Sequence, residues 1–151
     1  MKKVITIAII LLTLQVNAQR LINTSNKYNS DIQYNDEGND CSVRAFAEAF
    51  DIVYDDAMNM LKESGRQQRK GMSLSKYIKA LKKTEAKMGK SISVMSPKEF
   101  IENIAEGSNS YIVVTSNHTF VIEEYRGEFV IKGNNGDDKA QIIGYAYVSQ
   151  N

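Results

Sequence analysis

The order of two hydrophobic patterns along the chain constrains the fold more than any other feature of the sequence. In the first part, apolar residues recur at helical spacing; Val43, Phe46, Ala47 and Phe50, for example, form the repeat of one buried helix face. The last third contains the segments YIVVTS, TFVIEE, EFVIK and QIIGYAYV, which are rich in β-branched and aromatic residues and are separated by turn signals. Helices followed by an antiparallel meander predict one α+β domain.

Local signals divide the first part of the chain into four predicted helices. Asn39 or Asp40 can cap the first of them. A second helix is predicted over residues 55–63, and a third begins at Ser73. The segment SISVM then predicts a short strand. The fourth helix starts at residues 96–99, SPKE, which have the Ser and Glu of a capping box and a proline at the first helical position.

The N-terminal segment MKKVITIAIILLTLQVNAQR differs from the rest of the chain. Two lysines precede an apolar run from Val4 to Leu14, and the residues before Gln19 fit a cleavage site. This pattern predicts a secretory signal peptide over residues 1–18 and a mature domain over residues 19–151. The run is shorter than the roughly 20 apolar residues that a membrane-spanning helix needs. We therefore expect a secreted or periplasmic protein without stable membrane insertion after signal cleavage.

The cysteine count and the charge distribution limit the kinds of protein further. One cysteine in 151 residues excludes an internal disulfide, so packing alone has to hold the fold. The net charge is +1, but residues 62–90 contain ten Lys and Arg against two Glu. Such a segment is either a solvated helix face or a surface for an anionic partner. No nucleic-acid motif accompanies it, so a nucleic-acid partner is not expected.

The single cysteine and the single histidine form the candidate catalytic pair. Cys41 is predicted at a helix N-terminus, where free backbone N–H groups and the helix dipole lower the pKa of a thiol. His118 lies 77 residues further on, at the start of the predicted strand TFVIEE. A thiol nucleophile needs an adjacent imidazole to accept its proton. The two residues therefore predict nucleophilic catalysis by Cys41 with His118 as the base.

A third group usually orients the imidazole, and the strand pattern suggests where it lies. The strand TFVIEE turns at Gly127, and the strand EFVIK runs back beside it, which brings the end of that return strand near His118. Asn134 is the nearest suitable side chain there. The other side chains that could take this role are those of Asn135, Asp137 and Asp138.

Side-chain amides upstream of the cysteine could help to hold an oxyanion. Asn35 lies six residues before Cys41, Gln33 eight before and Asn39 two before. Each of these amides can donate a hydrogen bond, and so can a backbone N–H of the Cys41 helix. The sequence does not choose among the three.

This arrangement of residues resembles the papain-like cysteine peptidases. They too have a nucleophile at the opening of a helix, a later His at the start of a strand, and an Asn or Asp after the next strand. Asp40-Cys41, with an amide residue six positions upstream, is more narrowly similar to the bacteriocin-processing, double-glycine-leader peptidases. The family usually has Gln at the upstream position that Asn35 occupies here. The segment DCSVRAFAEAFDIVYDDAMNML also looks like small, uncharacterised papain-like proteins of phage and bacteria.

The resemblance implies an exported papain-like thiol hydrolase that acts on peptides or proteins through a Cys41–His118–Asn134 arrangement and a thioester acyl-enzyme. The same pair of residues could serve acyl transfer or hydrolysis of peptidoglycan amides, with cell-wall peptide as the substrate. A different class also stays open, namely a secreted binding or inhibitor module with a structural Cys41. No cofactor is implied, and no metal site is expected, because one Cys and one His cannot supply the usual three or four zinc ligands.

Overall fold

The computed structural model describes residues 22–23, 39–132 and 139–150. Its helices are α1 (Cys41–Phe50), α2 (Tyr54–Glu63), α3 (Leu74–Leu81) and α4 (Pro97–Asn103). Its strands are β1 (Ile22–Asn23), β2 (Lys87–Met88), β3 (Asn109–Val114), β4 (Thr119–Tyr125), β5 (Glu128–Lys132) and β6 (Gly144–Ser149). The α+β class predicted from the sequence is confirmed.

The strands form one sheet in the order β1-β5-β4-β3-β6-β2. All neighbouring strands are antiparallel except β1, which runs parallel to β5. Strands β3, β4 and β5 form the predicted meander, but β6 does not extend it. Instead β6 pairs with the other edge of β3, with Ile112 opposite Ala146. The prediction of a simple meander is wrong for this strand, because the buried backbone of β3 needs hydrogen-bond partners on both edges.

The prediction of a strand over the segment SISVM is also wrong. Val94 in this segment is 59% exposed, and only Met95 forms an isolated bridge, to Ile142. The sheet edge next to β6 is occupied by β2, which lies just before this segment in the chain. The chain then passes Gly89, where a Cβ would lie 2.3 Å from Cζ of Tyr145, so only glycine lets that ring pack directly over the backbone.

Helices cover both faces of the sheet. Because side chains alternate along a strand, Ile112 and Val121 point to one face, whereas Val113 and Phe120 point to the other. The first face packs against α1, α2 and α3 in one buried cluster. The second face packs in another cluster with Phe100 and Ile101 of α4. The sheet thus separates two hydrophobic cores, and the N-terminus of α1 opens at the edge of the first.

The apolar stripe of α1 fixes the position of this helix. Val43, Phe46 and Ala47 are fully buried, as their spacing predicted. The helix ends at Asp51, which adopts a left-handed conformation with φ of 49° and donates its amide back to the last turn. The helix begins at Cys41 and Asp40 occupies the N-cap position, as predicted, but the Asp40 side chain makes no cap hydrogen bond, because its carboxylate accepts from Arg44 and Tyr54 instead.

The capping box at the start of α4 is present as predicted. Oγ of Ser96 accepts a hydrogen bond from the Glu99 amide at 3.3 Å, and Oε2 of Glu99 accepts one from the Ser96 amide at 2.7 Å. We expect Ser96→Ala to lower the free energy of unfolding by about 1 kcal/mol, the usual value of an N-cap side chain, as measured by urea denaturation.

Ser73→Ala is the matched control for this experiment. Ser73 occupies the same cap position of α3, but its side chain makes no cap hydrogen bond. This variant should unfold at nearly the same urea concentration as the parent. Equal losses in the two variants would contradict the capping-box interpretation.

Candidate active site

A cavity of about 180 Å³ opens at the N-terminus of α1. Its wall is formed by the start of α1, by the segment around Gly71 and Met72, by α3, and by residues 114–119 between β3 and β4. Both Cys41 and His118 line it. The fold therefore brings together the two residues that the sequence separates by 77 positions.

Cys41 is half-buried and forms no disulfide. Burial raises the pKa of its thiol above the usual value of 9.0, and the neighbouring Asp40 carboxylate also acts to raise it. Hydrogen bonds from the backbone amides of Thr119 and Ser42 act in the opposite direction without outweighing burial. The prediction that the helix start lowers this pKa is therefore wrong in its net direction. The thiol is therefore mainly protonated at neutral pH.

Asp40 is buried beside the nucleophile and is held by two other residues. Its Oδ2 accepts hydrogen bonds from Nε of Arg44 at 2.9 Å and from Oη of Tyr54 at 3.1 Å. The first contact joins residues one helical turn apart, and the second ties the start of α1 to α2. These contacts fix the carboxylate and, with it, the backbone that carries Cys41. Asp40 was recognised in the sequence as part of the Asp40-Cys41 motif, but its contacts with Arg44 and Tyr54 were not predicted.

His118 is positioned by a tight turn between β3 and β4. Its backbone amide donates to Oγ1 of Thr115 at 3.0 Å, and its carbonyl accepts from the Thr115 amide at 2.9 Å. The imidazole stacks on the ring of Phe120, with centroids 6.0 Å apart and planes inclined by 28°. The histidine is half-buried and directly precedes β4, as predicted.

Two further residues of the cavity wall were not predicted from the sequence to belong to the site. Tyr77 of α3 is 2% exposed, and its hydroxyl has no hydrogen-bond partner in the described parts of the chain; the same holds for the buried hydroxyl of Ser42. Burial raises the pKa of Tyr77, and a charge on Cys41 raises it further. The sequence pattern assigned Tyr77 to the apolar stripe of its helix, which is correct for the ring but ignores the hydroxyl.

The other predicted site residues have different outcomes. Asn39 lines the cavity, is exposed and adopts a left-handed conformation with φ of 64°. The proposed orienting residue Asn134 and the possible oxyanion donors Asn35 and Gln33 lie outside the described residues, as do Asn135, Asp137, Asp138 and the predicted signal peptide. The third catalytic group is therefore still a prediction.

Within residues 22–23, 39–132 and 139–150, no group of three or more His, Cys, Asp and Glu side chains is arranged to hold a metal ion. None of the helices there is long and apolar enough to cross a membrane.

Fold and site together define an α+β protein with a cysteine at a helix N-terminus and a histidine on the wall of the same cavity. Comparisons of the chain with protein-family models, with curated proteins and with solved structures give no match. The functional assignment therefore depends on the chemistry of the site.

Proposed function

We propose that this protein is an exported papain-like cysteine hydrolase that cleaves peptide or amide bonds. The observation that supports the proposal most strongly is the shared cavity, whose wall contains both the only cysteine and the only histidine of the sequence. A thiol and an imidazole in one cavity are the minimum set for nucleophilic acyl transfer.

In the proposed mechanism, His118 accepts the proton of Cys41 as the sulfur attacks the substrate carbonyl. The raised pKa of Cys41 favours this order, because little thiolate is present beforehand at neutral pH. The carbonyl oxygen becomes an oxyanion, and backbone N–H groups at the start of α1 can donate to it. His118 then protonates the leaving amine, and the thioester that remains is hydrolysed by a water molecule activated by the same imidazole.

The site suits a polymeric substrate better than a small enclosed one. The cavity is open to solvent and small, so it can hold the reacting bond while the rest of a peptide extends outside. The basic segment over residues 62–90 includes α3, one wall of the cavity, and carries many exposed Lys and Arg side chains. None of these Lys and Arg side chains lines the cavity itself, so they would contact only those parts of an acidic peptide or a cell-wall peptide that extend beyond the reacting bond.

One observation favours the alternative of a non-catalytic binding module. Burial raises the pKa of Cys41, whereas a preactivated nucleophile has a lowered one. In a binding module Cys41 would be a packed, unreactive thiol. Reactivity of Cys41 that depends on His118 separates the two functions.

Hydrolysis of an activated ester tests the proposal without knowledge of the natural substrate. With p-nitrophenyl acetate, the parent should release p-nitrophenol in a burst, through acetylation of Cys41, followed by slower turnover. Because His118 serves both acylation and deacylation, His118→Ala should lower the steady-state rate by on the order of 10²-fold. Mass spectrometry of the intact protein should show the acetyl group on Cys41.

A change on α4, at the opposite face of the sheet, provides the control. Lys98→Ala alters an exposed residue away from the cavity and should leave the ester reaction nearly unchanged. Absence of acetylation in the parent, or equal rates in the parent and His118→Ala, would contradict the proposed hydrolase and favour the binding module.

A further inference from the structure

The hydroxyl of Tyr77 is buried without a partner in the described parts of the chain. A buried hydroxyl loses its hydrogen bonds to water on folding, so leaving it unpaired costs stability. Native structures have few such groups, and each one calls for an explanation. Phenylalanine would fill the same space without this cost, so the presence of tyrosine suggests a use for the hydroxyl.

Few groups around Tyr77 could form a hydrogen bond with its hydroxyl. The ring meets Phe46 edge to face, with centroids 6.4 Å apart. On another side it borders a second cavity of about 200 Å³, lined mainly by apolar residues such as Ile78, Leu81 and Ile143. The polar surroundings of the side chain lie in the first cavity, which Tyr77 shares with Cys41 and His118.

Burial and the carboxylate of Asp40 oppose the ionisation of Cys41. Asp40 is on the same helix, and its carboxylate opposes a second negative charge even though Arg44 and Tyr54 share it. His118 lies on the wall contributed by the β3–β4 turn, and Tyr77 on the wall contributed by α3. Amides of Thr119 and Ser42 already donate toward the sulfur. A further donor would assist the thiolate.

We propose that the hydroxyl of Tyr77 donates a hydrogen bond to the sulfur of Cys41 when the thiol loses its proton. A protonated thiol is a weak acceptor, so the hydroxyl has little to gain from it. A thiolate is charged, and hydrogen bonds to charged groups are markedly stronger. The unpaired hydroxyl of the resting site thus gains its partner as the nucleophile forms.

Ser42 has the second unpaired hydroxyl in this cavity, but it is less suited to this role. It follows Cys41 directly in α1, and consecutive side chains of a helix do not face each other. Tyr77 comes from a different helix and lines the same cavity as Cys41.

This inference deepens the proposed hydrolase function and depends on it for its role in catalysis. The ionisation of Cys41 can nevertheless be measured without any substrate, through the pH dependence of its alkylation by iodoacetamide. Failure of the inference and failure of the hydrolase proposal can therefore be told apart.

The test is Tyr77→Phe, which removes only the hydroxyl. If the hydroxyl stabilises the thiolate, its loss raises the pKa of Cys41 further, and the alkylation profile moves to higher pH. We expect a shift of about one pH unit, which makes alkylation about tenfold slower at each pH below the midpoint. The melting temperature should be equal to or higher than that of the parent, because an unpaired buried hydroxyl has been removed.

Two variants serve as matched controls. Tyr111→Phe removes another buried tyrosine hydroxyl, which accepts a hydrogen bond from the Glu106 amide at 2.7 Å in the other core. It should lower the melting temperature and leave the alkylation profile unchanged. Ser64→Ala removes a buried, unpaired hydroxyl at the end of α2 and should also leave the profile unchanged.

Each possible outcome either supports or overturns the inference about Tyr77. A shifted profile with retained stability in Tyr77→Phe, and no shift in either control, supports the inference. An unchanged profile overturns it, and so does a Tyr77→Phe variant that loses stability or fails to fold, because the hydroxyl would then have a structural partner. If Tyr77→Phe shifts the profile but His118→Ala does not affect ester turnover, the hydrolase proposal fails while the thiolate contact stands.

Discussion

Replacement of Cys41 by alanine should abolish peptide cleavage while the protein stays folded. The proposed mechanism has no route around the thioester, so the loss should be about 10³-fold or more. The reason for retained folding is that Cys41 is half-buried and lies before the buried stripe of α1, which begins at Val43. The assay is cleavage of a mixed-sequence peptide library, read by mass spectrometry, with thermal unfolding measured on the same samples.

Cys41→Ser and Ser64→Ala complete this experiment. Serine has the same shape of side chain with a smaller atom in place of sulfur, and its hydroxyl is a far weaker nucleophile than a thiol in a site arranged for sulfur, so cleavage should remain close to background. Ser64→Ala changes a buried residue away from the cavity and should cleave like the parent. If Cys41→Ala cleaves as fast as the parent, another group or a contaminant is responsible. If no form cleaves any peptide, the binding module becomes the better interpretation.

Replacement of Phe46 by alanine should produce one of the largest losses of stability in the described part of the chain. Phe46 is fully buried, and its ring packs against Phe50 at 4.6 Å and Tyr77 at 6.4 Å between centroids. Truncation of a buried phenylalanine leaves a cavity and costs about 3–5 kcal/mol. That is a large share of the roughly 5–15 kcal/mol that stabilises a typical domain. Urea denaturation followed by circular dichroism measures the loss.

Phe46→Ala should also alter the cavity that contains Cys41, because Phe46 anchors α1 in the core and packs against the ring of Tyr77. The pH profile of Cys41 alkylation in the folded fraction of Phe46→Ala should therefore have a different midpoint from that of the parent. Met60→Ala is the control, since Met60 is 41% exposed on α2 and its truncation should change the free energy of unfolding by no more than about 0.5 kcal/mol. A loss below about 1 kcal/mol in Phe46→Ala would show that this region repacks and that α1 is less firmly fixed than its burial indicates.

The candidate pair Cys41 and His118 could be predicted because the sequence offers only one residue of each kind. The start of α1 and the start of β4 also follow from local pattern, which placed both residues at the ends of regular elements. The pKa of Cys41 could not be predicted in the same way. The helix start and its amides are local features, whereas the burial that outweighs them depends on α3 and the β3–β4 turn.

Tyr77 illustrates what a periodicity argument leaves out. Its position in the stripe of α3 correctly predicted a buried ring. Whether the hydroxyl of a buried tyrosine is paired depends on which atoms of other elements surround it, and spacing along one helix contains no information on that. The partnership of Asp40 with Tyr54, fourteen residues away on α2, was missed for the same reason.

The sequence by itself determined the helices, most of the strands and the α+β class of this protein. Each of these depends on interactions within a few residues: capping side chains, the spacing of apolar residues, and turns. The tertiary structure decided the place of β6 beside β3, the edge position of β2, the burial of the nucleophile and the unpaired hydroxyl of Tyr77. These depend on contacts between residues far apart in the chain, whose geometry is set only when the two cores on either side of the sheet have packed.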